Sequence, residues 1–155
     1  DSLNYRSSQI VIAGTSLGGA AAVYLASQQS ESGNAPAALV TVATFSSMVD
    51  VARSHYPWLP VNAILVDRYP SVQRISSVSC PIVALHGDND AIVQQQFGRR
   101  LFDAAPPVSS ANVKKKWINL QDVGHNDLLK NGRKTIHREL KTIVAAVNEH
   151  RSARK

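Results

Sequence analysis

Four short runs of aliphatic and β-branched residues punctuate the chain: Gln9 to Ala13 (QIVIA), Ala38 to Ala43 (ALVTVA), Pro81 to Leu85 (PIVAL) and Val113 to Leu120 (VKKKWINL). The first three are near-continuously apolar, the pattern of strands buried on both faces, and they predict a parallel sheet covered by helices. Between and after them the spacing turns helical, over 17–29, within 48–54, over 93–104 and over 134–150. In the last of these, Ile136, Leu140, Ile143, Val144 and Val147 form one apolar stripe, with Arg133, Lys134, Arg138 and Lys141 largely off it. Strand and helix alternate from end to end, which is the order of an α/β fold with right-handed crossovers.

Two stretches fall outside this alternation. The segment 28–36 (QQSESGNAP) is a loop by its Ser, Gly, Asn and Pro content. The segment 54–72 carries prolines at 57, 60 and 70, which break long helices, together with Tyr56, Trp58, Leu59, Leu65 and Tyr69. Apolar and aromatic residues inserted between two core strands suit a small cap over a pocket, here bounded as 48–72, or a wall that merely packs on the domain. With no internal repeat or low-complexity tract, residues 1–155 read as a single α/β domain.

The 155 residues are 44% hydrophobic and 18% charged, enough for one packed core without staples. The one cysteine, Cys80, forbids an internal disulfide. No apolar run approaches the ~20 residues that span a bilayer. Seventeen Lys and Arg against eleven Asp and Glu leave a net charge of +6, which raises nucleic acid or an anionic membrane surface as partners. Aromatics are only 6% of the chain and are not interleaved with the basic runs at 114–116 and 133–155, which argues against nucleic acid. Solvated helix faces account for these runs, with peripheral membrane contact as the remaining alternative.

The candidate chemistry begins at Gly14-Thr15-Ser16-Leu17-Gly18-Gly19, which directly follows QIVIA and opens the small-residue helix LGGAAAVYLA. This is G-x-S-x-G at a strand-to-helix turn, where a serine hydroxyl stands clear of the sheet. Gly14 and Gly18, two residues either side of Ser16, are expected where close approach admits only small side chains. The N–H of Leu17, at the positive end of the helix, is a candidate oxyanion donor. The segment lacks the lysine of a P-loop and an acidic ribose partner. An acid and a base should follow in that order on loops after later strands. After PIVAL comes His86-Gly87-Asp88-Asn89-Asp90, where Asp88 and Asp90 both qualify. After VKKKWINL comes Val123-Gly124-His125-Asn126-Asp127. Asp90 lies 74 residues beyond Ser16 and His125 a further 35, room for a crossover each time. Of five histidines, His125 has the strand-end position a base requires. His86 reads as support for the acid loop and His55 as part of the suspected cap. Tyr56, Trp58, Leu59 and Leu65 are the candidate apolar wall for an acyl group.

The set GTSLGG, CPIVALHGDNDAIV and GHND, in that order and across nearly the whole chain, resembles the α/β-hydrolase superfamily, in particular its esterase, peptidase-like, acyl-protein thioesterase and lysophospholipase branch. The resemblance implies a three-layer sandwich with a predominantly parallel sheet. It places the acid at Asp90 through H-G-x-x-D-x-x-V and the base at His125 through the G-H-N loop. The implied activity is serine hydrolysis of a small-molecule or lipid acyl ester or thioester by Ser16, Asp90 and His125, with no cofactor and no metal. The family's sheet has eight strands with the elbow on the fifth, and here only 13 residues precede Gly14. The expectation is therefore strands five to eight of a larger hydrolase, without the loop that supplies a second oxyanion donor. An exposed edge at QIVIA would then promote self-association. The alternative is a catalytically weak or inactive module of the same fold that serves in binding.

Overall fold

The computed structural model describes residues 5–128 and 130–152. Four parallel strands, β1 (Val11–Thr15), β2 (Ala38–Val42), β3 (Ile82–Gly87) and β4 (Lys116–Leu120), lie in the order β1-β2-β3-β4. The register pairs Val11 with Ala38, Leu39 with Ile82 and Val83 with Lys116. Among the described residues six α-helices accompany them: α1 (Leu17–Glu31), α2 (Met48–His55), α3 (Val61–Ile64), α4 (Ser71–Arg74), α5 (Gln95–Ala104) and α6 (Arg133–Ser152).

Strand periodicity sorts the core into two layers, because successive side chains point to opposite faces. On one face Ala22, Val23 and Ala26 of α1 and Leu101 of α5 pack on Leu39 and Ile82. On the other, Ile136, Leu140 and Ile143 of α6 pack on Val40, Val42, Val83, Leu85 and Leu120. The result is the α/β/α sandwich. A third cluster, Ala20, Phe45, Val51 and Val93, with Met48, Tyr69 and Phe97 against it, lies beneath the loops that follow β2 and β3.

Several expectations need correction. Every residue of β2 and β3 is buried, whereas β1 is half-buried with Ala13 and Thr15 exposed. Among the described residues β1 has a strand on one side only, and an apolar sequence cannot bury itself without neighbours. The run VKKKWINL enters the sheet only at Lys116, because Lys114 is taken by an antiparallel bridge to Val108. Helix α1 continues two residues past Gln29, and its stop is Gly33, whose φ of 75° is a left-handed position that glycine adopts without strain. On α6, Val144 is exposed rather than part of the buried stripe. Val147 and the basic residues 151, 154 and 155 lie outside the described side chains.

Candidate active site

Ser16 sits between the last residue of β1 and the first of α1 with φ 53° and ψ −120°. A β-carbon makes that conformation costly, about 1–3 kcal/mol, so the surroundings must hold it in place. They do so from both sides. The Ser16 N–H donates to Val42 O at 2.8 Å, and its carbonyl accepts from the Gly19 N–H at 3.0 Å and the Ala20 N–H at 3.3 Å. A β-carbon on Gly14 would collide with the Gly18 backbone, and one on Gly19 with the Thr44 side chain. A β-carbon on Gly18 would meet nothing within 4 Å. The steric demand thus falls on Gly14 and Gly19. Gly18 needs to be small only in its backbone, which Gly14 approaches. Leu17 opens α1, so its N–H has no carbonyl four residues back within the helix.

The candidate acid and base come from the same end of the sheet. Asp90 lies in the turn after β3 and His125 in a 3-10 turn after β4. The His125 Nδ1–H donates to Asp90 Oδ2 at 2.8 Å, and the Asp90 side chain is fully buried. The other carboxylate oxygen, Oδ1, accepts from the Ile92 N–H at 3.0 Å and the Val93 N–H at 2.8 Å. Burial opposes the Asp90 charge. The neighbouring imidazoles of His86 and His125 and the Val93 amide outweigh it and hold the carboxyl below its ordinary value. Asp88 faces elsewhere: its Oδ1 accepts from the Asp122 N–H at 2.8 Å and its Oδ2 from the Asn119 amide at 3.4 Å. Of the two candidate acids, the imidazole of His125 meets Asp90.

No protein-family model matches the chain. An uncharacterised protein of Mycobacterium tuberculosis H37Rv is 41% identical over 119 residues, 77% of this chain and 38% of its own length. The lysophosphatidylserine lipase ABHD12 of Danio rerio is 29% identical over 119 residues, 68% of this chain and 31% of that protein. Among solved structures, a monoacylglycerol lipase of Paleococcus ferrophilus superposes with a TM-score of 0.60 at 14% identity, over 87% of this chain and 68% of that one. An esterase of Rhodococcus sp. gives 0.61 at 16% identity, over 92% and 67%. The chain has the α/β-hydrolase fold of these structures. It spans well under half the length of these two curated relatives.

In this chain the segment 48–72 behaves differently from a closed acyl pocket. Tyr56 and Trp58 are exposed, Trp58 to 76%, and their rings meet edge to face at 6.5 Å. Leu59 is half-buried and lines a cavity of about 550 Å³ with Arg53, Pro57, Pro60 and Val61. Tyr56, Trp58, Leu65 and the three polar residues of the candidate site do not line it. The segment is nevertheless tied to the acid turn, because His55 Nε2 lies 2.8 Å from Ile92 O. That link joins residues 37 apart, so no local pattern announces it. Cys80 is buried, and burial pushes its thiol up to about 12, which leaves it inert at neutral pH.

Proposed function

We propose that this chain of α/β-hydrolase fold is a serine hydrolase that cleaves carboxylic ester or thioester bonds through an acyl-enzyme. The observation that carries the reading is the buried Asp90 carboxylate bonded to His125 Nδ1 at 2.8 Å, at the same end of the parallel sheet as the strained turn at Ser16. In this reading Ser16 Oγ attacks the acyl carbonyl while His125 Nε2 takes its proton, and His125 returns that proton to the leaving group. Asp90 fixes the Nδ1–H tautomer and stabilises the cation that forms. The Leu17 N–H faces the charge that develops on the carbonyl oxygen. Water then releases the acyl group by the same route.

The name of the ABHD12 relatives favours a lipid acyl ester as substrate. A lipid ester is met at a lipid surface, and a net charge of +6 suits an anionic one. Vesicle co-sedimentation that vanishes at high salt tests that contact.

The test of the reaction is fluorophosphonate labelling, read by intact mass, of the chain and of Ser16→Ala. Labelling that depends on Ser16 is expected. Its absence from both proteins would favour the second reading, a binding module without turnover, for which the half-exposed β1 offers a docking edge.

A further inference from the structure

We propose that His86 is a positioning residue for the catalytic acid, an inference that rests on the hydrolase reading above. His86 lies on β3 and is 1% exposed, which is unusual for an imidazole unless its ring nitrogens have a use. Its Nε2–H donates to Val93 O at 2.8 Å and lies 3.6 Å from Asp90 Oδ2. The acceptor is informative, because Val93 is the residue whose N–H holds Asp90 Oδ1. One buried imidazole therefore grips the carbonyl side of a residue whose amide side grips the acid. The turn 90–93 is short, so freeing Val93 would release one of the two amides on Oδ1 and let the carboxylate rotate away from His125.

The surroundings keep the ring where this requires. Trp117 of β4 stacks on it at 6.0 Å between centroids and 18° between planes. Helix α5 passes so close that a β-carbon on Gly98 would collide with the ring. Glycine in a helix interior costs about 0.5–1 kcal/mol relative to alanine, and here that cost is offset by room for the imidazole. The remaining titratable group against the Asp90 carboxylate is His125 itself. With Asp90 Oδ1 on two amides and Oδ2 on His125, the acid is held in one orientation, and His86 secures the turn that holds it.

His86→Gln and His86→Met separate this role from packing, since the two side chains match in length and only glutamine can donate to Val93 O. Both lose the ring stacking on Trp117. We expect His86→Met to lose roughly 10- to 100-fold in kcat with KM unchanged, the range of one charge-assisted hydrogen bond. His86→Gln should recover most of it. Nitrogen resonances of 15N-labelled histidine supply a second readout that needs no turnover: His125 should hold one tautomer in the wild type and His86→Gln, and lose that preference in His86→Met. Equal behaviour of the two variants, in kcat and in the His125 tautomer, would overturn the proposal and leave His86 a packing residue. If neither variant folds, His86→Phe, which keeps an aromatic ring on Trp117 without the donor, takes the place of methionine and is compared with the wild type. If the wild type is not labelled at Ser16, the hydrolase reading fails by itself, and the tautomer comparison still decides whether His86 orients Asp90.

Discussion

At the residue scale the elbow makes a sharp prediction from two adjacent glycines. Gly19→Ala drives a β-carbon into the buried Thr44 side chain and should cost about 1–3 kcal/mol, the usual range for overpacking. Gly18→Ala meets open space in the first turn of α1 and should be neutral or stabilising by up to about 1 kcal/mol. Urea denaturation of the two variants checks both signs. The same scale separates the two aspartates. Asp90→Asn should lower kcat by about 10⁴, because an amide cannot enforce the tautomer that a carboxylate does. Asp88→Asn disturbs only the Asp122 and Asn119 contacts, and steady-state kinetics should show it far less impaired. Much of this was legible beforehand: a serine inside G-x-S-x-G, two acids after one strand and a histidine after the next. Gly14 was legible too, but that Gly19 and not Gly18 is the second sterically obligatory glycine was not, since Gly19 is constrained by Thr44, a residue from beyond β2.

At the element scale the lysines at 114–116 show what a charge run conceals. Lys115 folds back on the C-terminal end of α5, and its Nζ donates to the carbonyls of Phe102, Asp103 and Ala105 at 2.6, 3.1 and 2.8 Å. A cation there adds a donor to carbonyls at the end of the helix, where Phe102 O also accepts the Ala105 N–H at 3.2 Å, and complements the negative end of the dipole. Lys115→Met should therefore lower stability by about 1–2 kcal/mol, read as a fall in the urea midpoint. Lys116 instead reaches across to α6 and pairs with Glu139 at 2.7 Å, and Glu139 is almost fully buried. The hydrogen bond from Lys116 holds the Glu139 carboxyl below its ordinary value near 4.5, against the opposing effect of burial. A carboxyl lowered in the folded state contributes stability above its unfolded value and loses it as pH falls through the lower folded one. Glu139→Gln should accordingly cost about 1 kcal/mol at pH 7, a modest figure because Lys116 is half exposed and screened. The deficit should shrink once the pH drops below about 4, and unfolding curves at the two pH values would reveal it. The strands and the long helices could be anticipated because their periods are local. These two lysine contacts could not, because each joins segments that only the fold brings together.

At the scale of the whole molecule the sheet is asymmetric in a way that bears on association. Among the described residues both β1 and β4 are edge strands. In β4, Leu120 is buried with the apolar residues of α6, while β1, the strand that delivers Ser16, has no buried residue, with Ala13 and Thr15 exposed and the preceding Ile10 at 45% exposure. Near the opposite ends of the strands from Ser16, a cleft of about 1170 Å³ runs between Ala38, Ile82 and Val83 of the sheet and Ile143 and Ala146 of α6, so the apolar ground beside this edge is only partly covered. A strand edge with free amides and carbonyls next to uncovered apolar surface is a template for another strand. The chain is accordingly expected to self-associate, with a light-scattering mass that rises with concentration. Ala13→Lys puts a charge on the exposed face of β1, the device that natural edge strands use against pairing, and should return the mass toward the monomer without lowering the thermal midpoint. A wild-type mass fixed at that of one chain across the concentration range would show that the edge is inert. A mass unchanged by Ala13→Lys would move the contact elsewhere, to the cleft beside α6.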